Sequence, residues 1–170
     1  MKFSDIELDA LAETFNLSLG EAASMFSEMI RENIIISVPT VEILSRAVLL
    51  EQLQHQGSDR LCAIKQRFES SSDFNTSTLL LFPEQGTLEL VRKMLGDSTP
   101  IEHITELEQD TLAEIGNIIM NGCMGSLANL FNNRMTGTLP DVSVSNTSDV
   151  LNNYDLNELF LVAKISMSLS

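Results

Sequence analysis

Positive charge is scarce in this chain of 170 residues. Ten lysines and arginines stand against 24 aspartates and glutamates, a net charge of −14. The basic residues form no cluster, which argues against nucleic acid or an anionic membrane surface as a partner. Cysteine is almost absent. Cys62 and Cys123 are too few for a disulfide framework or a zinc site and read as reduced packing residues. No apolar run approaches the roughly 18 residues of a membrane span, and no signal-peptide pattern opens the chain, so a cytoplasmic protein is expected. No Ser–His or Cys–His arrangement stands out. His55 and His103 are isolated in polar stretches and read as surface residues. There is no P-loop and no G-x-G-x-x-G. The small residues at 20–24, Gly122 and Gly125 fit close packing within helices.

What the chain does have is a pattern that occurs twice. Asp110, Glu114 and Asn117 are followed, after 22 residues, by Pro140. Asp9, Glu13, Asn16 and Pro39 repeat that spacing 101 residues earlier. At the same offset Leu11, Ala12 and Val41 match Leu112, Ala113 and Val142. Ser4 with Glu7 and Thr105 with Glu108 each form a capping box, a hydroxyl followed three residues later by a glutamate. A helix start, an acidic-amide face and a distant proline recurring together predict duplicated half-domains, 1–97 and 102–170, within one domain.

Both copies have helical periodicity. At about 100° per residue, Asp110, Glu114, Asn117 and Asn121 share an arc of roughly 60°. Asp9, Glu13, Asn16 and Gly20 do the same. Leu8, Leu11, Phe15, Leu19, Ala22, Phe26 and Met29 lie on another face and are predicted core, as are Leu112, Cys123, Leu127 and Leu130. A face carrying Glu beside Asn is ordinarily only a solvated surface. Its recurrence, down to the proline, argues for a site.

D-x-x-x-E-x-x-N on a long helix with a following proline resembles the signature of the CheC/CheX/FliY phosphatases, which act on the phosphorylated chemotaxis response regulator CheY. EIGNI at 114–118 is similar to the family's form, and ANL follows at 128–130. The resemblance covers nearly the whole chain, and two intact motifs make it most similar to CheC. The first copy departs from the second by Phe15 in place of Gly116, a core-facing position.

The remaining elements follow in order. Residues 5–31 are a predicted helix, 34–44 a strand in which Pro39 marks an edge or a bulge, and 45–56 a short helix. Residues 61–70 and 77–82 form a hairpin, 84–95 a helix closed by Gly96, and 96–100 a linker. The second half gives a helix over 106–131, a strand around Pro140, and the first arm of a hairpin at 159–170. Counterparts of 77–95 do not follow, so the second half looks truncated. Either the natural protein continues for some 30 residues, or another molecule supplies the missing edge. The expected class is α+β, a pseudo-twofold fold with two long helices on a continuous β-sheet. Phe15 is expected to pack against the bare backbone at Gly116.

The resemblance implies a function. Asn16 and Asn117 would position the attacking water on an aspartyl phosphate, because an amide donates and accepts hydrogen bonds without a pKa near neutrality. Glu13 and Glu114 would pair with the regulator's lysine and fix docking. Asp9, Asp110, Pro39 and Pro140 would support the motif. The two sites would be quasi-equivalent. The protein would need no cofactor of its own, since Mg²⁺ belongs to the regulator. CheD is a further possible partner. The rival reading is an interaction module, of the flagellar-switch kind, that binds CheY or CheD without catalysis.

Overall fold

Two capping boxes start the two long helices. The computed structural model describes residues 3–72, 75–96 and 105–170; His103 and most of the 96–100 linker lie outside them. Helix α1 spans Asp5–Ile30, with the Ser4 hydroxyl and the Glu7 carboxylate satisfying one another's backbone N–H groups. Thr105 and Glu108 cap the second long helix, Glu106–Leu130, in the same way. Such caps each contribute about 1 kcal/mol by occupying donors that the first helical turn leaves free.

In chain order, α1 is followed by β1 (Ile34–Ile36), β2 (Thr40–Ser45), α2 (Arg46–His55), β3 (Arg60–Ser70), β4 (Thr76–Pro83) and α3 (Glu84–Leu95). Then come α4 (Glu106–Leu130), β5 (Met135–Gly137), β6 (Asp141–Asn146), β7 (Leu159–Lys164) and β8 (Met167–Leu169). The stretch expected as one strand over 34–44 is two strands. Proline has no N–H for a ladder, and the chain breaks at 37–39 just before and at Pro39. Pro140 stands between β5 and β6 in the same manner. Helix α3 ends at Gly96, whose φ of 68° is the left-handed conformation that glycine adopts without strain.

The α+β class is as expected, but the strands do not form one continuous ladder. All pairings are antiparallel and fall into three sets. Strand β1 pairs with β8, and β2 with β7. The long β3 pairs with β4 along one edge and with β5 and β6 along the other. The proline breaks split the outer strands. In addition, β4 pairs only with β3, and β7 only with β2, among the described residues. Residues of β4 and β7 line a cleft of about 1500 Å³.

Alternate residues of β3 carry much of the core. Cys62, Ile64 and Phe68 point to one face and are buried with Leu11, Phe15, Leu19, Phe26, Leu112 and Ile115. A second cluster joins Leu49 and Leu53 of α2 to Leu61 and Leu151. The predicted core faces of the long helices hold near their centres and fail at their ends. Met29 and Leu130 are exposed.

The atoms nearest to Gly116 on the side where a Cβ would stand belong to Ile64. A Cβ there would lie 2.5 Å from Ile64 Cγ2 and 2.9 Å from its Cδ1. The bare helix backbone therefore admits a strand side chain. Helices α1 and α4 meet elsewhere, at Ser18, Gly122, Cys123 and Ser126, where the Ser126 hydroxyl reaches Ser18 Oγ at 3.4 Å.

Candidate active site

On each long helix the Glu and the Asn lie on one face, one turn apart. Glu13 and Glu114 are exposed, while Asn16 and Asn117 are half-buried. Asp9 and Asp110, one turn earlier, are exposed. Pro39 is buried and Pro140 half-buried, each in the segment between the two short strands that follow its helix. An open carboxylate beside a partly enclosed amide can reach a cation with the first and orient a small polar group with the second.

The surroundings of the two asparagines differ. Asn117 Oδ1 accepts from Asn121 Nδ2 at 2.7 Å and from Gln66 Nε2 at 3.4 Å. Gln66 Nε2 also donates to the Thr138 carbonyl at 2.7 Å. Thr138 is itself held, since its N–H donates to Arg67 O and its hydroxyl accepts from Arg67 N–H. A backbone carbonyl can only accept. The atom of Gln66 facing it must therefore be nitrogen, the atom of Asn117 facing that nitrogen must be oxygen, and the Asn117 NH₂ is left as the free end. No hydrogen bond reaches the Asn16 side chain among the described residues.

Gln66 is the residue that sequence reasoning missed. It stands on the core face of β3 between Ile64 and Phe68 and is 2% exposed. A glutamine interrupting the alternation Cys62, Ile64, Phe68 was the available signal.

The other candidate groups are inert. Burial pushes the Cys62 thiol up to about 11, and burial raises Cys123 as well, so neither is a nucleophile near neutral pH. The exposed His55 ring bonds its own helix at Glu51 O, 2.7 Å away. No group of three His, Cys, Asp or Glu residues suited to a metal ion occurs among the described residues. No helix there is long and apolar enough to cross a membrane.

This arrangement of helices and strands is shared with FliY and FliM. FliY of Thermotoga maritima superposes with a TM-score of 0.76 at 20% identity, covering 99% of this chain and 86% of that one. FliM of H. pylori, in its complex with FliG, gives 0.72 at 13% identity, covering 99% and 88%. No family model matches the sequence. The CheY-P phosphatase CheC of Bacillus subtilis is 26% identical over 142 residues, 81% of this chain. The match spans 66% of the length of that relative. The chain is similar in sequence to CheC and in fold to FliY.

Proposed function

We propose that this protein is a phosphatase for the aspartyl phosphate of a CheY-type response regulator, working in chemotaxis signalling in the cytoplasm. The observation that carries the reading is on α4. The exposed Glu114 stands one turn before an asparagine whose amide oxygen is tied down and whose NH₂ is free. Glu114 meets a lysine of the docked regulator. The Asn117 amide enters beside the phosphoryl group and holds water in line, and the aspartyl–phosphate bond is cleaved to aspartate and inorganic phosphate. Glu13 and Asn16 offer the same pair on α1. Mg²⁺ and the phosphorylated aspartate are the regulator's own.

The similarity to a relative named as a CheY-P phosphatase supports this reading. A second reading has its own support. FliM, which shares the fold, is known in complexes with FliG and with SpeE, so the fold also serves protein docking. CheD belongs to this second reading as a partner. Decay of a phosphorylated CheY-type regulator, with and without this protein, separates them. Faster release of phosphate is expected; binding without any acceleration would favour the docking module.

A further inference from the structure

We infer that Gln66 is a positioning residue that pre-sets the Asn117 amide, and that the Asn117 site therefore carries most of the activity; this rests on the phosphatase reading above.

Backbone pairing identifies the counterpart of each residue around Asn117. Phe68 pairs with Gly137 as Met167 pairs with Ile36. Lys65 pairs with Asp141 as Lys164 pairs with Thr40. Residues 60–70 thus occupy the place that 159–169 occupy beside α1. The flanking bonds agree: Thr138 N–H donates to Arg67 O at 2.8 Å, and Ser37 N–H donates to Ser166 O at 2.9 Å. Gln66 therefore corresponds to Ile165, whose side chain cannot donate a hydrogen bond. Asn121, one turn beyond Asn117, corresponds to Gly20 at the 101-residue offset.

Gly137 completes the set. A Cβ there would lie 2.7 Å from Gln66 Nε2, 2.9 Å from Phe68 Cε1 and 3.1 Å from Asn121 Oδ1. Its counterpart is Ile36, a side chain where the network needs space. Donor, second donor and vacant space are together at Asn117, and all three are replaced at Asn16.

The cost of Gln66 is also visible. Its Oε1 is buried without a protein hydrogen-bond partner. An apolar residue would satisfy the core better, as Ile165 does at the corresponding place. What the glutamine supplies is a donor, bridging a fixed carbonyl to the oxygen of Asn117. An amide held before substrate arrives avoids the ordering cost at the reaction step, where misplacement of a positioning group can cost about 10²-fold.

The test uses Gln66→Met, which keeps an unbranched side chain of similar length without donors, in the full chain with a phosphorylated CheY-type regulator. Gln66→Met is expected to lower kcat at least tenfold, with KM for the regulator unchanged. Added to Asn117→Ala, it should produce no further loss, whereas added to Asn16→Ala it should produce its full loss. Ile165→Met should leave the rate unchanged. The Asn117 side-chain NH₂ resonances, followed by NMR in the free protein, should shift in Gln66→Met while those of Asn16 stay in place. Unmoved Asn117 resonances, or an additive loss with Asn117→Ala, would overturn the positioning role. Absent phosphatase activity in the parent, with the Asn117 resonances still responding to Gln66→Met, would sink the phosphatase reading and leave the preorganisation standing.

Discussion

The α4 face and the α1 face carry the same three motif residues and the same following proline, yet among the described residues only Asn117 has its side-chain amide hydrogen-bonded. Around Asn117 are Gln66, Asn121 and the space left by Gly137. Around Asn16 the equivalent positions are Ile165, Gly20 and Ile36. A motif specifies which groups a site contains. The strand beneath and the next helical turn decide whether those groups are ordered before a partner arrives. Two quasi-equivalent sites are what the repeated motif implies; the difference around the amides is the basis for proposing one strong and one weak site.

The largest effect is expected from docking and chemistry lost together. Glu114→Lys with Asn117→Ala should reduce phosphatase activity more than 10²-fold, since one change repels a cation and the other removes the positioning amide. The matching pair, Glu13→Lys with Asn16→Ala, should cost less than tenfold. Steady-state rates on the phosphorylated regulator measure both. Equal losses would break the comparison.

Glu114→Lys alone should weaken regulator binding about tenfold, and moderate salt should weaken the parental complex. Calorimetric titration at two ionic strengths checks this. Parental affinity in the variant would remove Glu114 from the docking face.

Packing differs between the halves in a way that can be measured without any partner. Gly116→Ala places a methyl within 2.5 Å of Ile64, which is fully buried. It should destabilise the protein by about 1–3 kcal/mol in denaturant unfolding, as overpacking does. Gly20, on the other long helix, has no atom within 4 Å of an added Cβ, so Gly20→Ala should be neutral or stabilising by up to about 1 kcal/mol.

The smallest effect concerns the two capping glutamates. Burial acts to raise the Glu108 carboxyl. Hydrogen bonds from the Thr105 backbone, the Arg92 guanidinium and the Thr105 hydroxyl outweigh it, so its pKa lies below the ordinary 4.5. Arg92 Nε donates to Glu108 at 2.9 Å, and Glu108 is 2% exposed. A carboxyl lowered on folding stabilises the protein above the unfolded pKa, and that contribution disappears as pH falls through the folded pKa. Thermal midpoints followed from pH 7 to below 4 should therefore fall less steeply in Glu108→Gln than in the parent. Glu7 forms the same box in solvent, with no ion pair among the described residues, so Glu7→Gln should change the acid slope less.

Much of the fold was legible because the signals were local. Two capping boxes marked both long helices at their first residues, and Gly96 marked the end of α3. The polar loop joining 61–70 to 77–82 gave the hairpin. The three separate ladders were not legible, because pairing between β1 and β8 or β2 and β7 joins residues more than a hundred apart and leaves no local trace. The approach of Ile64 to Gly116 was not legible for the same reason, since it joins a strand to a helix about 50 residues further on. The motif residues Asp9, Glu13, Asn16, Asp110, Glu114 and Asn117 were visible as spacing. Gln66 was visible only as a polar residue in an apolar alternation, and its meaning required the distance to Asn117.

The most direct measurement compares two single substitutions, Asn117→Ala and Asn16→Ala, in the decay of a phosphorylated CheY-type regulator under single-turnover conditions. The parent is expected to accelerate decay. Asn117→Ala should lose most of that acceleration, and Asn16→Ala should keep more than half of it. A parent that leaves the decay unchanged, or two variants that lose activity equally, would contradict a phosphatase with one preorganised site.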